Sequence, residues 1–147
     1  MAVVRDQPYG NQHFTVDLGA GGPAATFSEV ILPESSVDVI EYRSGADKTN
    51  EVRKIPGLVR CGDVTLKRGV IGSLDLYQWF NDVRNGNVNA RRNVVIALES
   101  EDRTQVVLTW RLFRAFPVKH SFSNLNAKGE DVLIEELVLA CERVEME

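Results

Sequence analysis

Apolar and polar positions alternate through most of the chain. Phe14, Val16 and Leu18 alternate with Thr15 and Asp17, the period-two pattern of a half-buried strand. Gly19, Gly21, Gly22 and Pro23 then break it. Phe27, Val30, Ile31 and Leu32 form a second apolar run, ended by Pro33. Val37 and Val39 flank Asp38, and this third strand continues through Ile40 and Tyr42. Segment 44–52, SGADKTNEV, is polar and has no period. It opens a polar loop running to about residue 54, long beside the roughly 2–5 residues of a hairpin turn. An exposed loop of that length is a candidate for a contact made on assembly.

Pro56 and Gly57 restart the chain, and Val64 and Leu66 alternate with Thr65 and Lys67 as a fourth strand. Gly69 and Gly72 close it. Ser73 is placed to N-cap a helix over about 73–85, with Asp75 in its first turn, where negative charge suits the dipole. Leu76, Trp79, Phe80 and Val83 fall at helical spacing on one face, and Asn85 and Gly86 supply the stop. This apolar stripe reads as a lid on a core. Val94, Ile96 and Leu98 mark a fifth strand. After an acidic turn at 99–103, Val106, Leu108, Trp110 and Leu112 share one face of a sixth, which Pro117 is expected to end. Segment 121–130 is a polar connection. A long last strand runs from about Val132 to Val144, with aliphatic residues on both faces. Such a strand lies between a core and something else, and a second subunit is one candidate. The class is mainly β: a barrel or sandwich of antiparallel strands with one flanking helix.

Composition narrows the function. The chain has 147 residues, one domain by length, with no internal repeat or linker to divide it. A domain of this size buries roughly two thirds of its unfolded surface, so an independent core is expected. No apolar run approaches the roughly 20 residues of a spanning helix. The opening MAVVRDQPYGNQ has no apolar signal region, which predicts synthesis in a bacterial cytoplasm without a signal peptide. Acidic residues outnumber basic ones, 21 to 17, and Arg91 and Arg92 alone do not make a basic face for nucleic acid. Cys61 and Cys141 lack C-x-x-C spacing and read as buried small hydrophobes.

Catalytic chemistry is thin. The histidines are His13 and His120, with no H-E-x-x-H, C-x-x-C or G-x-S-x-G pattern. His120 and Ser121 are neighbours on a strand and point to opposite faces, which argues against a shared site. Gly19, Gly21 and Gly22 lack the lysine and helix of a phosphate loop and read as a turn. The acidic pairs Glu99/Glu101 and Glu135/Glu136 read as solvated surface. The expectation is a protein that is not an enzyme, uses no cofactor or metal, and works through its surface.

Four stretches carry a resemblance. They are Ile40-Glu41-Tyr42-Arg43-Ser44-Gly45; Lys54-Ile55-Pro56-Gly57 with Val64-Thr65-Leu66-Lys67-Arg68-Gly69-Val70; Leu76-Tyr77-Gln78-Trp79-Phe80; and Trp110-Arg111-Leu112 with Ala115-Phe116-Pro117, Ile134-Glu135-Glu136-Leu137 and Cys141-Glu142-Arg143-Val144. In order and spacing they resemble the tail tube family of contractile-tailed phages, and especially the inner tube proteins of extracellular contractile injection systems. The type VI secretion tube protein is more distantly similar. The resemblance implies homo-hexameric rings stacked into a hollow tube inside a contractile sheath, with baseplate, spike and cap partners. It also implies a lumen for effector cargo, and a phage-tail-like particle that is released from the cell or retained in it.

Such a subunit needs one interface to close a ring and another to repeat along an axis. Glu41, Tyr42, Arg43, Asp47, Lys48 and Lys54 are the expected ring-stacking contacts. Thr65, Lys67, Thr109 and Arg111 are the expected lumen-facing set. Three other readings remain open: a phage tail tube whose lumen passes DNA, a small-molecule carrier barrel with an internal apolar cavity, and a hydrolase using His120.

Overall fold

The computed structural model describes residues 2–19 and 26–147. Gly21, Gly22 and Pro23 of the expected glycine turn lie outside the described residues. Gly19 lies within them, at φ +72°, its amide donating to Asp17 Oδ1. A Cβ there would sit 2.5 Å from the Asn93 carbonyl oxygen. The glycine is therefore required by close approach to a neighbouring strand, not by a phosphate.

Among the described residues, nine strands and one α-helix follow in order. They are β1 (Phe14–Asp17), β2 (Glu29–Ile31), β3 (Ser35–Tyr42), β4 (Arg53–Cys61), β5 (Val64–Gly69), α1 (Asp75–Arg84), β6 (Arg92–Glu99), β7 (Val106–Phe122), β8 (Ile134–Ala140) and β9 (Arg143–Met146). Seven form one antiparallel sheet in the order β1-β6-β7-β8-β5-β2, with β9 also on β7. The other two, β3 and β4, pair with each other and with no other described strand.

The sheet doubles over along β7, which is 17 residues long. Its first half pairs with β6 and β9, its second with β8. Register shifts fall opposite Arg92/Val94 and between Pro117 and Lys119. Arg114 takes φ 55°, an unusual value for a non-glycine residue. Bulges of this kind bend a strand and raise its twist, so β7 passes from one limb of the sheet to the other without ending. Pro117 was expected to end the strand. It sits instead at a bulge, fully buried, where no ladder hydrogen bond is demanded of it.

The two limbs face each other across one core. Val16, Val94, Ile96 and Leu112 come from the first limb, and Val64, Leu66, Leu137 and Leu139 from the second. Helix α1 closes one end with Leu76 and Trp79, both buried. The Trp79 indole donates to the Ala90 carbonyl at 2.6 Å, and the Arg92 guanidinium lies 4.6 Å from its ring centroid. A buried aromatic of this kind is worth about 3–5 kcal/mol against alanine.

Other boundaries differ from expectation. The helix begins at Asp75, and its N-cap position is Leu74; the Ser73 hydroxyl donates to the Asp75 carboxylate instead of capping backbone. The expected last strand is two, β8 and β9, broken at Cys141–Glu142, where the chain crosses from one limb to the other beside β7. Cys61 and Cys141 are free and half-buried, their sulfurs directed at the Glu142 and Gly62 carbonyls. Burial pushes the Cys141 thiol up to about 11.

Candidate assembly interface

Strands β3 and β4 make an arm. β2 leads directly into β3, and β4 into β5, so the arm extends the β2–β5 pair beyond the sheet. The Gly62 amide donates to the Glu34 carbonyl at 2.6 Å and fixes the root. Pro56 and Gly57 were expected to interrupt the chain here. They lie inside β4, because each strand of a two-stranded arm is an edge, where proline is tolerated.

The register places Val37, Val39 and Val59 on one face of the arm, and Ile40, Ile55 and Tyr42 on the other. Among the described residues neither face is covered: Ile40 is 52% exposed and Val59 70%. The Asp38–Arg60 ion pair, at 3.0 Å, lies on the same face as Ile40. Such a surface on an unpaired two-stranded element marks a partner site.

All six expected stacking residues gather at the arm's outer end. Glu41 lies opposite Lys54, and Tyr42 opposite Arg53. The loop between the strands runs over residues 43–52, so the long segment does close a hairpin. Arg43 and Asp47 are turned inward to shape it. The Arg43 guanidinium donates to the Thr49 and Asp47 carbonyls, while Asp47 accepts from the Ser44 amide and pairs with Arg53 at 3.1 Å. Lys48 and Lys54 are exposed. The exposed apolar side chains of β4 behind these residues are not legible in the sequence, because Ile55, Leu58 and Val59 flank the supposed break at Pro56-Gly57.

The four expected lumen residues divide into two pairs. Thr65 and Lys67 lie on β5, on the outer face of the second limb, where Lys67 is opposite Glu29 and Glu136 and 3.6 Å from the Glu29 carboxylate. Thr109 and Arg111 lie on the first half of β7, on the outer face of the other limb. There Arg111 pairs with Glu147 at 2.7 Å, and Thr109 exchanges two backbone hydrogen bonds with Glu147.

A charged cluster lies inside the fold. Arg68 is 5% exposed and Glu135 4%, joined at 2.8 Å. Glu135 also holds His120 Nε2 at 2.7 Å, and Arg68 reaches Asp75 of α1 at 2.5 Å. Burial pushes the Asp75 carboxyl up, but hydrogen bonds from Arg68 and Ser73 outweigh it and hold the group below its usual range. His120 is stacked edge-on to Phe122 and committed to Glu135, on the face away from Ser121. The cluster pins the helix to both halves of the second limb. The expectation that Glu135 is solvated is corrected: it faces the core.

A mainly β domain with its core closed by one helix, and with an uncovered arm, has the form of a protein that works by association. Residues 10–145 match the family described as T4-like virus tail tube protein gp19, and the chain belongs to that family. It is a structural subunit of a tube. No curated protein matches the chain. Among solved structures, it is similar to a chain of the PVC sheath-tube complex of an extracellular contractile injection system in the extended state. The identity is 28% and the TM-score 0.83, over 95% of this chain and 91% of that one. It is also similar to a chain of the anti-feeding prophage tube-terminating cap, at 25% identity and TM-score 0.85 over 100% and 95%. Hcp1 from Flavobacterium johnsoniae shares the fold, at 16% identity and TM-score 0.55 over 90% and 93%.

Proposed function

We infer that this chain is the inner-tube subunit of a contractile injection system. Six copies close a ring, rings stack into a hollow rod, and a sheath around the rod drives it forward. Baseplate and spike proteins sit at one end, a cap protein at the other, and effector cargo occupies the bore. The observation that carries this reading is the β3–β4 arm, whose apolar side chains are exposed on both faces and uncovered by any described residue. The similar chains come from assemblies described as sheath-tube, baseplate and cap complexes, which supports the same partners here. An extracellular particle assembled from cytoplasmic subunits fits that setting. Among the described residues no helix is long and apolar enough to cross a membrane.

A single bore is lined by one limb of the sheet. The outer face of β5 and β8, with Thr65, Lys67 and Glu136, is the better lining. The opposite limb is crossed by the N-terminal segment, where the Val3 amide donates to the Val107 carbonyl. Glu41, Tyr42, Lys48 and Lys54 then make the stacking contact, while Arg43 and Asp47 hold the loop in shape for it. The role is mechanical and needs no active site.

A second reading, a phage tail tube passing DNA, is favoured by the viral family description. Neighbouring capsid genes would select it. Negative-stain microscopy of the purified protein tests both against the carrier alternative. Rings or rods are expected; uniform monomers at high concentration would overturn the tube.

A further inference from the structure

Helix α1 ends on Asn85-Gly86, the one Asn-Gly step in the chain. The Asn85 amide donates to the Asn81 carbonyl and the Gly86 amide to the Val83 carbonyl, both at 3.0 Å, so the pair closes the last turn. Gly86 takes φ +82°, and a Cβ there would meet nothing within 4 Å. Both residues are exposed. Arg84 ties the turn down. Its guanidinium donates to the Asn81 side-chain oxygen and reaches the Tyr77 hydroxyl at 3.5 Å, one and two turns back. Beyond the pair, a short 3-10 turn at Val88–Ala90 supplies the carbonyl that holds the Trp79 indole.

We propose that Asn85 is a site of spontaneous deamidation in the folded protein, gated by the last turn of α1. The Gly86 backbone nitrogen attacks the carbonyl carbon of the Asn85 side chain and gives up its proton. A C–N bond forms, the bond to the side-chain nitrogen breaks, and ammonia leaves with that proton. Water then opens the five-membered imide. Opening at the side-chain carbonyl gives aspartate, and opening at the main-chain carbonyl gives isoaspartate. Glycine at position 86 leaves the attacking nitrogen without a side chain to shield it. With Asn85 at ψ 5°, that nitrogen is turned away from its own side chain and its N–H is held by Val83. Ring closure therefore needs the peptide to rotate and the Gly86–Val83 hydrogen bond to open. Helix ends open at little cost, and the Arg84 contacts set how little.

The product changes the lid on the core. Either form puts a carboxylate at the C-terminal end of α1, where the helix dipole disfavours it. Isoaspartate also adds a carbon to the main chain between α1 and the turn that places the Ala90 carbonyl under Trp79. The site is independent of the tube reading.

The full chain, incubated at mildly alkaline pH both folded and in urea, tests this by peptide mass spectrometry. In the folded protein, Asn85 is expected to convert from amide to acid faster than any other asparagine, with isoaspartate detected by an isoaspartyl methyltransferase. Arg84→Ala changes an exposed side chain and should raise that rate several-fold. Urea should erase the difference between this variant and the unaltered chain. The aged protein should melt below the fresh one, and Asn85→Asp should reproduce part of the fall. An Asn85 that stays intact in the folded protein while converting in urea would overturn the site. Equal rates in the folded unaltered protein and in folded Arg84→Ala would overturn the gate.

Discussion

At the scale of single residues, the informative positions are two doublets. Lys67-Arg68 on β5 and Glu135-Glu136 on β8 lie opposite each other, Lys67 across from Glu136 and Arg68 across from Glu135. Alternation along a strand sends one pair outward and the other inward. Two like charges in a row look solvated when read along the chain; only the pairing register reveals the buried half. Removing one partner leaves an uncompensated charge in the core, which typically costs about 3–5 kcal/mol. Arg68→Ala is expected to lose that much in urea unfolding, and Arg68→Met/Glu135→Leu to recover most of it. An Arg68→Ala loss within about 0.5 kcal/mol, the usual range for a surface site, would show the pair to be solvated. A second residue-scale effect is pH-dependent. The Arg5 guanidinium grips Glu101 and the Gln7 and Pro8 carbonyls, and lies over the Tyr9 ring. The Arg5 hydrogen bond, with the Glu101 and Gly10 backbone amides, lowers the Glu101 carboxyl from 4.5 to about 2. Because the folded value is the depressed one, the tie is fully present above pH 4.5 and is lost as pH falls toward 2. Release of the N-terminal segment in that window should appear in the Tyr9 ring resonances. Arg5→Ala should abolish the transition; a transition that persists in this variant would assign it elsewhere.

At the scale of elements, legibility depended on punctuation. β1, β3, β5 and β6 alternate cleanly and were readable, as was the helix with its Trp79 stripe. The errors fall where a proline or glycine stands inside a strand, or where a strand breaks without one. Pro56-Gly57 hid β4, Pro117 hid the second half of β7, and Cys141-Glu142 gave no sign of the break between β8 and β9. Local propensity cannot see that a two-stranded arm has free edges, or that a bulge leaves a proline with no donor to miss. The six residues expected to stack lie together at one end of an element, whereas the exposed apolar side chains of β4 beneath them are not legible, since they line up only once β4 is paired. The arm also yields an element-scale prediction. Its loop is wired by Arg43 and Asp47 to itself, and its strands bury little against the rest of the chain. Replacing residues 43–52 by Asn-Gly supplies a two-residue turn suited to antiparallel strands. The monomer's unfolding free energy should move by less than about 1 kcal/mol, as for other surface changes, while stacked rods disappear from micrographs. A collapse of monomer stability instead would make the loop part of the fold and not of the assembly.

At the scale of the whole molecule, the question is where stability resides. The double-over sheet has its own core closed by α1, so the chain is expected to fold alone; in the proposed assembly the arm contributes to stability only when another copy covers it. Linkage then makes thermal unfolding depend on concentration. A partner that binds only the folded state and is present at a hundred times its dissociation constant adds about 2.7 kcal/mol. For a chain near 150 residues each kcal/mol moves Tm by about 2–4 °C. The assembled protein should therefore melt roughly 5–10 °C above the dilute monomer by calorimetry. Ile40→Asp/Ile55→Asp puts two carboxylates on one face of the arm without touching the core. It should melt at the monomer temperature at every concentration. If the unaltered protein also melts at one temperature across a thousandfold range of concentration, the arm is not an assembly element, and the exposed face at Ile40 and Ile55 needs a partner other than a copy of the chain. If instead the variant follows the unaltered protein upward with concentration, the copies associate through some surface other than this face. Only a concentration-dependent Tm that the two aspartates remove places the missing stabilisation on the β3–β4 arm.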